Sequence, residues 1–90
     1  MLNFEWDKEK AVVNFKKHGV SFEDASTIFC DTLSMTFADP EHSLMEDRYI
    51  IIGITKYSKL LVVSHIYKGE IIRIISARPA TKREIYFYEN

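Results

Sequence analysis

Ninety residues suit one domain, and a chain of this length buries only roughly 60–65% of the surface its unfolded form exposes, so its core must be thin. A composition that is 47% hydrophobic and 13% aromatic, with two Pro and three Gly, excludes a disordered chain and leaves little room for long loops. A formal net charge of −1 argues against a uniformly basic nucleic-acid binder but permits a basic face if the acids lie elsewhere.

Residues 2–6 read as a short strand or extended entry. Asp7 is a good N-cap, with Trp6 and Ala11 placed to staple across it, and a helix over 8–18 follows. Its spacing turns Ala11, Val12 and Phe15 inward and the lysines outward. Gly19 is the natural stop, and His18 in the last turn suits the negative end of the helix dipole. Ser21 with Asp24 matches a capping box and Val20 with Ala25 its staple. They open a second helix that sends Ala25, Ile28 and Phe29 to the core and ends at Asp31 and Thr32.

The period then changes from helical to alternating. Leu33, Met35 and Phe37 alternate with Ser34, Thr36 and Ala38, which predicts a half-buried strand. A loop over 39–43 separates it from strand-like runs at 48–55, 60–67 and 71–78. The connections at 56–59 and 68–69 are too short for crossover helices, so these runs form an antiparallel meander. Pro79 ends the last strand, and a terminal helix over 80–89 follows, with Thr81 and Glu84 as a second possible capping box. The expected order is β-α-α-β-β-β-β-α: an α+β domain spanning 1–90, with helices packed on a small antiparallel sheet.

The single cysteine, Cys30, cannot form an internal disulfide and reads as a small buried apolar residue in a reducing compartment. The first ten residues are charged and resemble no signal peptide, and no apolar run approaches the ~20 residues of a membrane span. The expectation is a soluble, cytoplasmic protein.

His18, His42 and His65 have no second His or Cys at metal-ligand spacing, and no Gly-rich phosphate loop or nucleophile elbow is present. No metal and no cofactor are therefore expected. What stands out is a basic set near the C-terminus, Lys68, Arg73, Arg78, Lys82 and Arg83, with Lys16, Lys17 and His18 as a second group and Arg48 after the acids Glu46 and Asp47. RNA cleavage without a metal needs such types: a group to take the 2′-hydroxyl proton, cations for the phosphate, and a proton for the leaving oxygen. Each residue also has a plain structural reading. Lys16 and Lys17 fit a solvated helix face, His18 a helix-end cation, His65 a hydrogen-bonded core or edge histidine, Glu46 and Arg48 a surface pair, and the terminal tyrosines core packing. Arg73 and Arg78 interrupt an otherwise apolar strand, where a buried charge needs a partner or a task. In a regular strand their separation puts them on opposite faces, so only a bulge or a turn position for Arg78 brings them together.

Assembled, these residues resemble the BrnT toxins. Phe4-Glu5-Trp6-Asp7, Lys10-Ala11, Asn14 and the run from Lys17-His18-Gly19-Val20 through Asp24-Ala25 are similar to the N-terminal half of that family. His42-Ser43 with Glu46-Asp47-Arg48 and Gly53 resemble its middle motif, and Arg73-Ile74-Ile75-Ser76-Ala77-Arg78, Ala80-Thr81 and Arg83-Glu84 its C-terminal signature. The resemblance implies a RelE-like ribonuclease, the toxin of a type II toxin–antitoxin pair, with a BrnA-like ribbon-helix-helix antitoxin as partner. It also implies a heterotetramer that touches operator DNA mainly through the antitoxin. His18, Glu46, Arg48, Arg73, Arg78, Arg83 and Glu84 fall on its motif positions as catalytic candidates, and Lys16, Lys17, Lys68 and Lys82 stand as RNA-binding candidates. Ile66-Tyr67-Lys68 and Ile85-Tyr86-Phe87 are less basic than the corresponding stretches of the family, and Glu46-Asp47 stands where two glutamates are usual.

Two functions follow as expectations. One is a metal-independent endoribonuclease that inhibits translation, with Arg73, Arg78 and Arg83 converging on the phosphate and His18 or Glu46 handling protons. The other is a weak or inactive homologue that binds the antitoxin and acts as co-repressor.

Overall fold

The computed structural model describes residues 2–42 and 47–90. Local capping sets its helices. α1 (Lys8–His18) begins where the Asp7 carboxylate accepts the Lys10 N–H at 3.0 Å, and ends where Gly19 turns left-handed at φ 70° and donates to the Phe15 carbonyl. α2 (Phe22–Ser26) begins where Ser21 Oγ accepts the Asp24 N–H. The single helix expected up to Asp31 instead tightens into a 3₁₀ turn at Thr27–Cys30. There the Ser26 and Thr27 hydroxyls donate back to the Glu23 and Asp24 carbonyls at 2.7 Å, competing with regular helical bonding. α3 (Lys82–Glu89) carries the complete Thr81/Glu84 capping box. It starts at Lys82 rather than Ala80 because the Ala80 N–H is still engaged by the Leu60 carbonyl.

Five strands, β1 (Asn3–Glu5), β2 (Met35–Ala38), β3 (Arg48–Ile54), β4 (Leu60–Lys68) and β5 (Ile71–Pro79), form one sheet in the order β1-β5-β4-β3-β2. The meander of β2 to β5 is antiparallel as expected; β1 adds to β5 in parallel and makes the sheet mixed.

β1 pairs only with Ile71, Ile72 and Arg73, which leaves the rest of that edge of β5 to α1. The buried side chain of Asn14 fills the gap. Its Nδ2 donates to the Ala77 carbonyl at 2.8 Å and to the Val20 carbonyl at 3.2 Å, while its Oδ1 accepts the Ala77 N–H at 3.1 Å. An amide side chain thus replaces a neighbouring strand.

The core lies between the helices and one face of the sheet: Val20, Phe22, Ala25 and Ile28 meet Ile51, Leu61, Val63, Ile74 and Ala77, with Phe4, Trp6, Ala11 and Phe29 at its margin. His65 is fully buried on this face, edge-on to Phe29 and Tyr67, with its ring nitrogens near the Val63 carbonyl and the Tyr67 hydroxyl. It is the core histidine of the structural reading, and burial holds its pKa below the ordinary value.

Several sequence expectations are corrected. Val12 and Phe15 point outward, both 54% exposed, because docking α1 through Asn14 rotates that stripe away from the sheet. The strand expected from Leu33 begins only at Met35: Leu33 lies exposed in the turn before it, and Phe37 is exposed on β2, an edge strand. Cys30 is exposed rather than buried.

Candidate functional site

α1 and α2 cover one face of the sheet, and α3 crosses one end of the other. Two links hold α3 there: the Arg78 guanidinium grips both oxygens of Glu84, at 2.7 and 2.8 Å, and the Tyr88 hydroxyl donates to Asp31. Asp31 Oδ2 also receives the Ile54 N–H, so one carboxylate joins the end of α3 to β3. The carboxylate pushes the Tyr88 hydroxyl up to about 12, and the Arg78 contact pulls Glu84 down to about 2.

The remainder of this face carries the cations of interest, and a bulge puts them there. Ser64 stands opposite Ser76 but His65 opposite Ile74, so Ile75 is an extra residue in β5. The parity of the strand flips at that point. Arg73, opposite Ile66, and Arg78, opposite Val62, therefore share the face turned away from α1 and α2. They do not meet. Their partners lie four positions apart along β4, a distance of about 13 Å.

The expected convergence of Arg73, Arg78 and Arg83 is thus overturned. Arg78 and Glu84 form a strap at the α3 end, and Lys82 and Arg83 lie exposed on α3 itself. Lys17 and His18 line a groove of about 460 Å³ along the β5 edge, with Lys10, Val13, Ile75 and Ser76. Lys16 borders an apolar groove beside Val12 and Phe15. Glu46 lies outside the described residues.

What does assemble is a row across the open face: Arg48 on β3, Ile66 on β4, Arg73 on β5 and Glu5 on β1, each opposite the next. Lys68 joins it from the end of β4. A single oxygen of Glu5 receives Arg73 at 2.7 Å and Lys68 at 3.5 Å. The Arg73 hydrogen bond, helped by the Lys68 charge, holds the Glu5 carboxyl below its usual range despite partial desolvation. Lys68 and Arg73 also line a shallow groove of about 580 Å³ with Asp47, Ile66 and Tyr67.

On the β2 side the row continues in a pair that sequence reasoning missed. Asp39 is 6% exposed, donates its N–H to the Arg48 carbonyl at 2.8 Å, and holds His42 Nδ1 at 2.9 Å. Burial would raise its pKa, but the Glu41 N–H, the His42 ring and the Arg48 charge bring it below the ordinary value. The pairing of an acid with a His three residues on was the available signal.

Among the described residues, no group of three or more His, Cys, Asp or Glu is placed to hold a metal ion, and no helix is long and apolar enough to cross a membrane.

Fold and site together define a small α+β domain with a mixed sheet, two helices on one face, and an opposite face that a third helix covers at one end and that elsewhere presents paired cations beside a His–Asp couple. The family model described as "Ribonuclease toxin, BrnT, of type II toxin-antitoxin system" matches residues 6–84, and the chain belongs to that family. The fold is also similar to that of the Brucella abortus ribonuclease toxin BrnT, known from a crystal structure, with a TM-score of 0.71 and 24% identity over 91% of this chain and 100% of that one. No curated protein sequence gives a significant match.

Proposed function

We propose that this chain is a metal-independent endoribonuclease, the toxin of a type II pair, that inhibits translation by cleaving RNA at the row formed by Arg48, Arg73 and Lys68. Family membership supports the class of activity. The observation that carries the site is the Glu5 carboxylate, one oxygen of which is gripped by both Arg73 and Lys68 at the rim of an open groove. A guanidinium and an ammonium directed at one partly exposed oxygen make an anion site, and an RNA phosphate is the anion this protein class takes. Glu5 occupies that site at rest and yields it to substrate. Lys16, Lys17, His18, Lys82 and Arg83 are left to steer or bind RNA around this point, and Arg78 and Glu84 act by fixing α3. The partner is a BrnA-like ribbon-helix-helix antitoxin in a cytoplasmic heterotetramer, with operator DNA contacted through the antitoxin.

The test is the purified chain with total RNA in excess chelator. Cleavage that persists in chelator and falls at least tenfold in Arg73→Ala, with the melting temperature retained, is the expected result. Intact RNA across enzyme concentrations defeats this reading.

A second reading, a toxin homologue that only binds the antitoxin and acts as co-repressor, is favoured by two observations. Arg73 and Arg78 both carry internal ion pairs, and the exposed surface of α3 presents Tyr86 and Phe87. RNA left intact while the antitoxin is bound would support it.

A further inference from the structure

We infer that His42 is the proton-transferring group of this site and that Asp39 positions it. The inference rests on the ribonuclease reading above.

The three histidines occupy quite different places. His65 is sealed in the core. His18 sits in the groove between α1 and the edge of β5, away from the row of cations. His42 adjoins that row: Asp39, which holds it, pairs through its main chain with Arg48, and Arg48 stands in register through Ile66 with Arg73. Two interstrand spacings, about 10 Å, separate the Arg48 and Arg73 positions, so His42 and the Glu5 anion site flank the two arginines from opposite sides.

The local geometry is that of an oriented base. Asp39 is anchored twice, by its own N–H to the Arg48 carbonyl and by Oδ1 to the Glu41 N–H at 3.0 Å. Its second oxygen faces His42 Nδ1 at 2.9 Å. An ionised Asp39 takes a proton-bearing Nδ1 and leaves the Nε2 of the neutral ring as an acceptor. The His42 side chain is 52% exposed, so Nε2 is within reach of a substrate, whereas the Asp39 side chain is 9% exposed and is not. The burial difference separates the roles: His42 touches the RNA and Asp39 acts through it.

The chemistry balances without another reactant. Nε2 takes the proton of a 2′-hydroxyl as O2′ forms a bond to phosphorus. The P–O5′ bond breaks, and its electron pair leaves with O5′, which takes a proton from water. The hydroxide left behind removes the proton from the imidazolium. The products are a 2′,3′-cyclic phosphate and a 5′-hydroxyl, and the arginines balance the charge that develops on the phosphoryl oxygens.

The test is cleavage of total RNA by the full chain and its His42→Ala, His42→Gln and Asp39→Asn variants, with circular dichroism and melting temperature as fold controls. His42→Ala and His42→Gln should each lose on the order of 10²–10³-fold in rate with the fold kept. Added imidazole should restore at least tenfold to His42→Ala. Asp39→Asn should lose roughly tenfold or more, because the ring is held in the wrong tautomer, and imidazole should not restore it. The new 3′ ends should be cyclic phosphates. Wild-type rates in both His42 variants, or a loss that imidazole leaves unchanged, overturn the role of His42 while the nuclease reading stands. An inert wild-type chain removes both.

Discussion

The side-chain amide of Asn14 takes both main-chain hydrogen-bonding groups of Ala77, at 2.8 and 3.1 Å, and so closes a sheet edge that β1 is too short to cover. Asn14 is 7% exposed and Ala77 fully buried, so removing the amide orphans groups that water cannot reach. Each such orphan costs about 1–3 kcal/mol. Asn14→Ala should therefore destabilise the fold by about 3 kcal/mol, and Asn14→Leu should not recover it, as read from the urea midpoint at unchanged slope.

The Arg78–Glu84 strap makes a prediction in acid. The folded-state pKa of Glu84 lies at about 2, below its ordinary 4.5, so the strap stabilises the fold fully above pH 4.5 and the stabilisation fades as pH falls toward 2. Glu84→Gln should melt lower than wild type at pH 7, and the two melting curves should converge between pH 4.5 and 2. Arg78→Ala should lower the neutral-pH melting temperature too, because Arg78 joins α3 to the sheet.

Gly53 leaves no space for a side chain. A Cβ there would lie 3.1 Å from Ile28 Cβ, 3.2 Å from the Ile28 carbonyl and 3.2 Å from Ser34 Cβ. Gly53→Ala should cost about 1–3 kcal/mol by overpacking. At Gly19 a Cβ meets nothing within 4 Å, and Gly19→Ala should cost about 1–2 kcal/mol for a different reason, the left-handed φ of 70°. Thermal melts of the two variants measure both costs.

If the Glu5 carboxylate stands where a phosphate binds, neutralising it should help RNA. Glu5→Gln should bind a short single-stranded RNA severalfold more tightly than wild type by fluorescence anisotropy. Arg73→Ala should bind more weakly, with the slope of log affinity against log salt reduced by about 1. Equal affinity in Glu5→Gln and wild type would place the phosphate elsewhere.

The sequence alone determined what depends on near neighbours in the chain. Asp7, Ser21 and Thr81 cap their helices through hydrogen bonds that span three residues, and Gly19 ends α1 at its own positive φ. The short connections of the meander fixed an antiparallel β3-β4-β5, and the ordered motifs carried the family resemblance that the matching family model bears out. Tertiary structure decided whatever depends on residues distant in sequence. Helical periodicity marked Val12 and Phe15 as inward, but Asn14 docks against Ala77, 63 residues away, and turns them out. A regular strand would separate Arg73 and Arg78 onto opposite faces; the extra residue at Ile75, defined only by pairing with β4, restores them to one face, where Glu5 engages Arg73 and Glu84 engages Arg78. Capping and turn chemistry are written within a few residues of where they act, whereas strand register and ion pairing exist only once the sheet has brought distant side chains together.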